Sequence, residues 1–288
     1  MKNIILACFV MQVVMLHAQF GGTSTKKDLE TRFLKTKTLV VKTGDDHFDQ
    51  NLEAGFKKHW TITEYKMVEP DFKIDEKDKS ISYVKPFTIT VRDSYTEQTY
   101  VRYGVFMGGS ESTDFLLAAD IVLDGFGREG KLIESAYRAG GMAKMMQDFI
   151  QLRLDGEPIS GSAITRVRYT AGAVYNKRSG EIRKKTLLVD KNQLTQGEYA
   201  IGRKQTFSEA DFKALYGGKV EFVSTEEVEE AINSGNPEYC YFLPVYSRNK
   251  FLFVVDCESG SVLYNGYSVG GMFMTKKDIK ALGKAITQ

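Results

Sequence analysis

The feature that most constrains this chain is that the order of its local patterns begins again past residue 182. Lys37-Thr38-Leu39-Val40-Val41, a short β-branched run, is echoed by Lys185-Thr186-Leu187-Leu188-Val189. A helical segment follows each run: Phe48 to Trp60, with Leu52, Phe56 and Trp60 recurring every fourth residue, and Phe207 to Tyr216. Thr63 to Val68 is then echoed by Gly218 to Val223, and strands around Lys85-Pro86 match those around Leu243-Pro244. Both stretches close with a helix, about Lys131 to Leu154 and Lys276 to Ile286. The offset between matching elements drifts from 148 to about 158 residues, so the loops differ while the order is kept. A chain that sets out strand, helix, antiparallel strands and helix twice is expected to fold as α/β (α+β) with two structurally similar halves, 37–160 and 161–288.

Within the first half, strand-like runs also cover Ser80 to Val91, Thr99 to Met107 and Phe115 to Leu123. Gly140-Gly141 falls in the middle of the long helix. Glycine there costs about 1 kcal/mol against alanine, which predicts either a break or a close backbone contact. Met142, Met145 and Met146 read as core filler. Ser162 to Ile182 carries a hairpin signal with a turn at Lys177-Arg178-Ser179-Gly180, and nothing in the sequence assigns it to either half.

The amino terminus reads as an export signal. Lys2 precedes an apolar run from Ile4 to Leu16, ending at His17-Ala18-Gln19, so cleavage is expected after Ala18. The run is about 13 residues, against the roughly 20 needed to span a bilayer as a helix, and no later segment is long and apolar enough to do so. Leu6-Ala7-Cys8 imitates a lipoprotein box, but cutting there would leave almost no apolar stretch to engage export. Residues 19–36 read as a leader, Gly-rich and polar over Gln19 to Lys27.

Removing Lys2 leaves 38 basic residues against 37 acidic ones, with no basic stripe to neutralise several phosphates, and nucleic-acid binding is disfavoured. With 42% hydrophobic residues, 12% aromatic and only 5 prolines, the chain can bury a large core and is not disordered.

Without Cys8, the exported chain holds Cys240 and Cys257, in two strand-like runs separated by Ser247-Arg248-Asn249-Lys250. A two- or four-residue loop centred between Arg248 and Asn249 places the cysteines opposite each other, and counting from the two-residue loop that pair falls at a site without backbone hydrogen bonds, within disulfide reach. A structural disulfide is therefore expected, with two buried free thiols as the alternative if the register slips by one residue.

Few residues offer chemistry. Gly125-Phe126-Gly127-Arg128-Glu129-Gly130-Lys131 matches two phosphate-loop patterns, but Leu132 stands where magnesium needs a hydroxyl, so it reads as a strand-to-helix turn. The exported chain has only His47 and His59, too far apart for a His-x-x-x-His or His-x-His zinc site. Asp45-Asp46-His47 followed by Asp49 could gather a cation, but the Asp residues before Phe48 read as capping the helix and favouring its dipole. No nucleophile elbow is present, and Asp75, Glu76, Asp78 and Glu226, Glu227, Glu229, Glu230 read as solvated charge. No catalytic residue, metal or cofactor is nominated.

The Ala18-Gln19 signal end, Lys58-His59-Trp60 with Thr63-Glu64-Tyr65, and the two-part α/β pattern together resemble uncharacterised exported proteins of the Bacteroidetes over most of the exported chain. The resemblance carries no activity with it. The strand-helix-strand opening of each half also looks like periplasmic α/β assembly domains. The expectation is a non-enzymatic cell-envelope protein, periplasmic, outer-membrane-associated or secreted, that binds a protein partner. Its rivals are an exported hydrolase with a carboxylate or serine centre between the halves, or a carrier of a small apolar ligand.

Overall fold

The structure is a computed structural model that describes residues 29–92, 97–109, 115–123, 137–155, 175–196, 205–246, 249–269 and 274–287. The expected signal peptide, the Gly-rich leader, the Gly125–Lys131 loop and residues 162–174 lie outside these described residues. Among the described residues no helix is long and apolar enough to cross a membrane.

A short helix α1 (Leu29–Phe33) leads into β1 (Lys37–Val41), α2 (Asp46–His59), β2 (Tyr65–Val68), β3 (Ile81–Arg92), β4 (Glu97–Met107), β5 (Phe115–Leu123) and α3 (Tyr137–Leu154). The five strands form one sheet ordered β2-β1-β3-β4-β5, with β1 parallel to β2 and β3 and the rest antiparallel. The right-hand portion of the chain supplies β6 (Thr186–Asp190), the two-residue strands β7 (Thr195–Gln196) and β8 (Gln205–Thr206), α4 (Glu209–Tyr216), β9 (Val220–Val223) and α5 (Thr225–Ser234). It continues with β10 (Tyr239–Tyr246), β11 (Asn249–Asp256), β12 (Val262–Val269) and α6 (Lys276–Ala285). The second large sheet is ordered β9-β6-β10-β11-β12. Here β6 is parallel to β9 and β10 and the rest are antiparallel, the same pattern of neighbours as in the first.

Strand β6 is buried along nearly its whole length, as a parallel strand covered on both faces must be, whereas β1 leaves Lys37 exposed and Leu39 half-buried. The first sheet sets Val40, Val84, Tyr103, Val105 and Met107 against α2 and α3, with Phe48 stacked on Tyr103. Helix α3, together with α5, also faces Tyr241, Leu243, Phe251, Phe253 and Val255 of the second sheet, so one continuous core joins the two sheets. The other face of the second sheet, with Leu187, Val189, Phe242, Leu252 and Val254, packs under α4 and α6 as a second core. Phe33, placed by the sequence in the leader, is fully buried in the first core, edge-on to Trp60.

Gly140-Gly141 makes a close contact and no break. Helix α3 runs through it, a Cβ on Gly55 of α2 would overlap the Gly140 carbonyl oxygen, and a Cβ on Gly141 would overlap the Tyr241 hydroxyl. Glycines are what allow α2 and α3 to meet backbone to backbone and the Tyr241 side chain of β10 to reach the α3 backbone. Met142, Met145 and Met146 fill the core, as expected. The turn at Lys177-Arg178 leads not into a hairpin strand but into a 3-10 helix over Ser179–Lys184. Ser179 Oγ bonds the Ala285 carbonyl at 2.7 Å and Ile182 enters the second core, tying this segment to the second sheet.

The cysteine register needs correction. Tyr246 pairs with Lys250, and Cys240 stands opposite Asp256 rather than Cys257. A one-residue slip sends every side chain to the other face of the sheet. Cys240 therefore lies in the second core and Cys257 in the first, and both are buried free thiols. Burial pushes both thiols well above their ordinary range, Cys257 to about 12.

Candidate functional site

Helix α2 begins where a carboxylate holds it. Asp45 accepts a hydrogen bond from Phe48 N at 2.9 Å, and Asp49 accepts from Thr43 N, Thr43 Oγ1 and Gly44 N at 2.7 to 2.9 Å. The capping reading holds for Asp45, while Asp49 is committed to the β1–α2 turn. Helix α5 begins with a capping box in which Ser224 and Glu227 satisfy each other's backbone N–H groups. Its apolar stripe, Val228, Ala231 and Ile232, faces inward and leaves Glu229 beside α2.

Between α2 and α5 opens a groove of about 540 Å³, floored by Gly140 of α3. One wall is the stripe His47, Asn51, Gly55 and Lys58, which the three- and four-residue helical spacing brings to one side. The other is Glu229, Ile232 and Asn233, with Gln50 and Lys57 at the rim. Both histidines of the described chain line this groove, at its two ends.

At one end His47 Nε2–H donates to Glu229 Oε2 at 2.9 Å, across 182 residues of chain. The imidazole is 60% exposed and the Glu229 side chain only 12%. Asn51, 6% exposed, donates through Nδ2 to the His47 carbonyl at 3.0 Å. That leaves Asn51 Oδ1 and Glu229 Oε1, two buried acceptors at the same end of the groove, without a hydrogen-bond partner. A buried acceptor left unmade costs about 1–3 kcal/mol, so this end holds two unmet demands for a donor.

At the other end Lys58 Nζ donates to the Ile232 carbonyl at 3.0 Å and the Cys257 carbonyl at 3.4 Å, fastening α2 to the last turn of α5. His59, 8% exposed, packs against the Gly260 turn, where a Cβ would stand 3.0 Å from Nε2. Burial lowers its pKa to about 4, with the charges of Lys58 and Lys144 acting in the same direction. This ring is neutral at neutral pH. Lys57 is exposed at the rim, with no ion-pair partner among the described residues.

Sequence reading named His47, His59 and Glu229 but gave none of them a joint role, named Lys58 only within the Lys58-His59-Trp60 run, and missed Asn51. The helical period around Leu52 and Phe56 does mark the opposite side of α2 as polar. What no local pattern supplies is the partner helix. Of the remaining carboxylates, Asp78 accepts from Ser80 and Glu76 pairs with Lys85, local contacts outside the groove. Among the described residues no group of three His, Cys, Asp or Glu could hold a metal ion.

No protein-family model matches the chain, and no curated protein or solved structure is detectably similar to it. Function is read from the groove itself.

Proposed function

We propose that this protein is an exported, non-enzymatic module of the cell envelope that binds a protein partner in the groove between α2 and α5. The observation that carries the proposal is the pair of buried, unpartnered acceptors, Asn51 Oδ1 and Glu229 Oε1, at one end of an open groove. A partner that brings donors recovers what those acceptors lack, and the charged and amide side chains of Asn51, Lys57, Glu229 and Asn233 in the lining favour such a partner over a small apolar ligand. The export half of the proposal rests on the apolar run Ile4 to Leu16 before Ala18. Two structurally similar halves are part of the same reading, supported by the shared strand order of the sheets and by the echoed sequence runs. In that reading α5 is an addition to the second half, and it supplies the groove's second wall.

The test is capture in the cell. A photo-reactive residue at Gln50 in the tagged full-length protein should cross-link to an envelope protein, and Glu229→Lys should abolish the adduct while circular dichroism stays unchanged. Amino-terminal sequencing of the periplasmic fraction should begin at Gln19. A chain that stays monomeric, with no adduct sensitive to Glu229, would refute the binding proposal.

A second reading has one observation in its favour. The Glu229–His47 pair is a carboxylate-oriented imidazole, the arrangement that serves a general base in acyl transfer. Among the described residues the groove lining offers no hydroxyl or thiol for it to activate. If this reading were right, His47→Ala would abolish ester turnover.

A further inference from the structure

We infer that the groove takes an extended peptide segment of the partner carrying a lysine or arginine and, three to five residues away, an aspartate or glutamate. The inference rests on the groove being the binding site proposed above and adds the chemistry of its occupant. The groove is bipolar. At the His47 end, Glu229 and the nine-tenths-buried Asn51 offer two acceptors without donors. At the other end Lys57 stands exposed, its neighbour Lys58 being committed to two backbone carbonyls.

Both Asn51 Oδ1 and Glu229 Oε1 are screened from solvent, so the incoming cation takes the place of the His47 ring. That ring holds Glu229 through one nitrogen and is 60% exposed, and rotation about its side-chain torsions carries it into water. An ammonium or guanidinium brings more donors than the imidazole and forms stronger, charge-assisted bonds to the carboxylate. A phosphate or other anion is repelled at this end by Glu229, and Glu226 lies close enough to His47 to add to that repulsion.

The spacing follows from the helix. Asn51 and His47 precede Lys57 by 6 and 10 residues, which at the helical rise is about 9 to 15 Å along α2. An extended chain advances about 3.3 Å per residue and covers that distance in roughly three to five positions.

The experiment titrates the full chain from Gln19, isotopically labelled, with synthetic peptides of Gly and Ser that carry one Lys and one Glu, and follows amide resonances of α2 and α5. The peptide with the charges four positions apart should shift them saturably, including the side-chain amide of Asn51. Adjacent charges, or charges eight positions apart, should bind about tenfold more weakly, and so should the matched peptide on Glu229→Gln or Lys57→Gln. His47→Ala should bind the matched peptide at least as well as the parent, which separates cation recognition from any role for the imidazole as a base. Equal binding of all spacings, or of a peptide without charges, overturns the inference, as does spermidine competing as well as the matched peptide. Cross-linking at Gln50 that depends on Glu229, together with absence of peptide binding, would leave the groove as the partner site and refute only its assigned chemistry.

Discussion

His59 couples the groove to pH through stability. The folded ring holds its proton only below about 4, for the burial and lysine charges already named, while the unfolded ring takes one near 6.5. Between those values the unfolded state binds more protons, so stability is whole above about pH 6.5 and falls as pH drops toward 4. The ring's share of that loss is about 2–3 kcal/mol. Urea unfolding of the parent and of His59→Gln at pH 7.5 and 5.0 checks this: the variant should lose less on acidification, and parallel behaviour of the two would refute the assignment. Gly55 carries a second prediction at this scale. Alanine is the better helix former by about 1 kcal/mol, but its methyl would meet the Gly140 carbonyl oxygen, which belongs to backbone and cannot turn aside. Gly55→Ala should therefore destabilise the fold by about 3 kcal/mol, measured by the urea midpoint, and a neutral or stabilising result would mean that α2 and α3 do not cross there.

The cysteines test the placement of an element. On opposite faces of one sheet, Cys240 and Cys257 cannot reach each other, and burial leaves both thiols protonated at pH 8. The chain from Gln19 should resist iodoacetamide while folded and take two adducts once unfolded, read by intact mass. A mass lower by two hydrogens with no adducts would restore the disulfide and move β11 by one residue. This register was the least legible part of the fold. Apolar runs marked β3, β4, β5, β10 and β11 to within a few residues, but Ser247-Arg248-Asn249-Lys250 fits loops of two, three or four residues equally well. The deciding contact is remote: Lys250, which reads as a turn residue, is 2% exposed because Asp278 at the start of α6 pairs with it at 2.5 Å. Helices α2, α4 and α6 were legible because an apolar stripe declares them locally. Strand β12 was not, since Asn265 and Gly266 interrupt its apolar residues.

At the scale of the molecule, the groove could not be read in advance because its walls come from α2 and α5, nearly two hundred residues apart, and only the packing of α3 between the sheets brings them together. The same packing governs how the protein unfolds. The first sheet has its helices on one side, and those helices share a core with the second sheet through Tyr137 against Tyr241, whose rings meet edge to face at 6.1 Å. Severing the chain near residue 160 would expose Tyr241, Leu243, Phe251, Phe253 and Val255 on one piece and their partners on the other. Each fully exposed side chain of this kind forfeits about 1.5–3 kcal/mol, so five of them together are comparable to the roughly 5–15 kcal/mol of net stability typical of a domain. The intact protein should therefore unfold in one cooperative step, with tyrosine fluorescence and far-ultraviolet circular dichroism giving coincident urea transitions. Residues 29–160 and 161–288 expressed separately should be aggregation-prone or markedly less stable. Two resolved transitions, or a second half that folds alone with the stability it has in the whole, would show that the sheets are independent domains, and the groove between α2 and α5 would then be a variable gap instead of a built site.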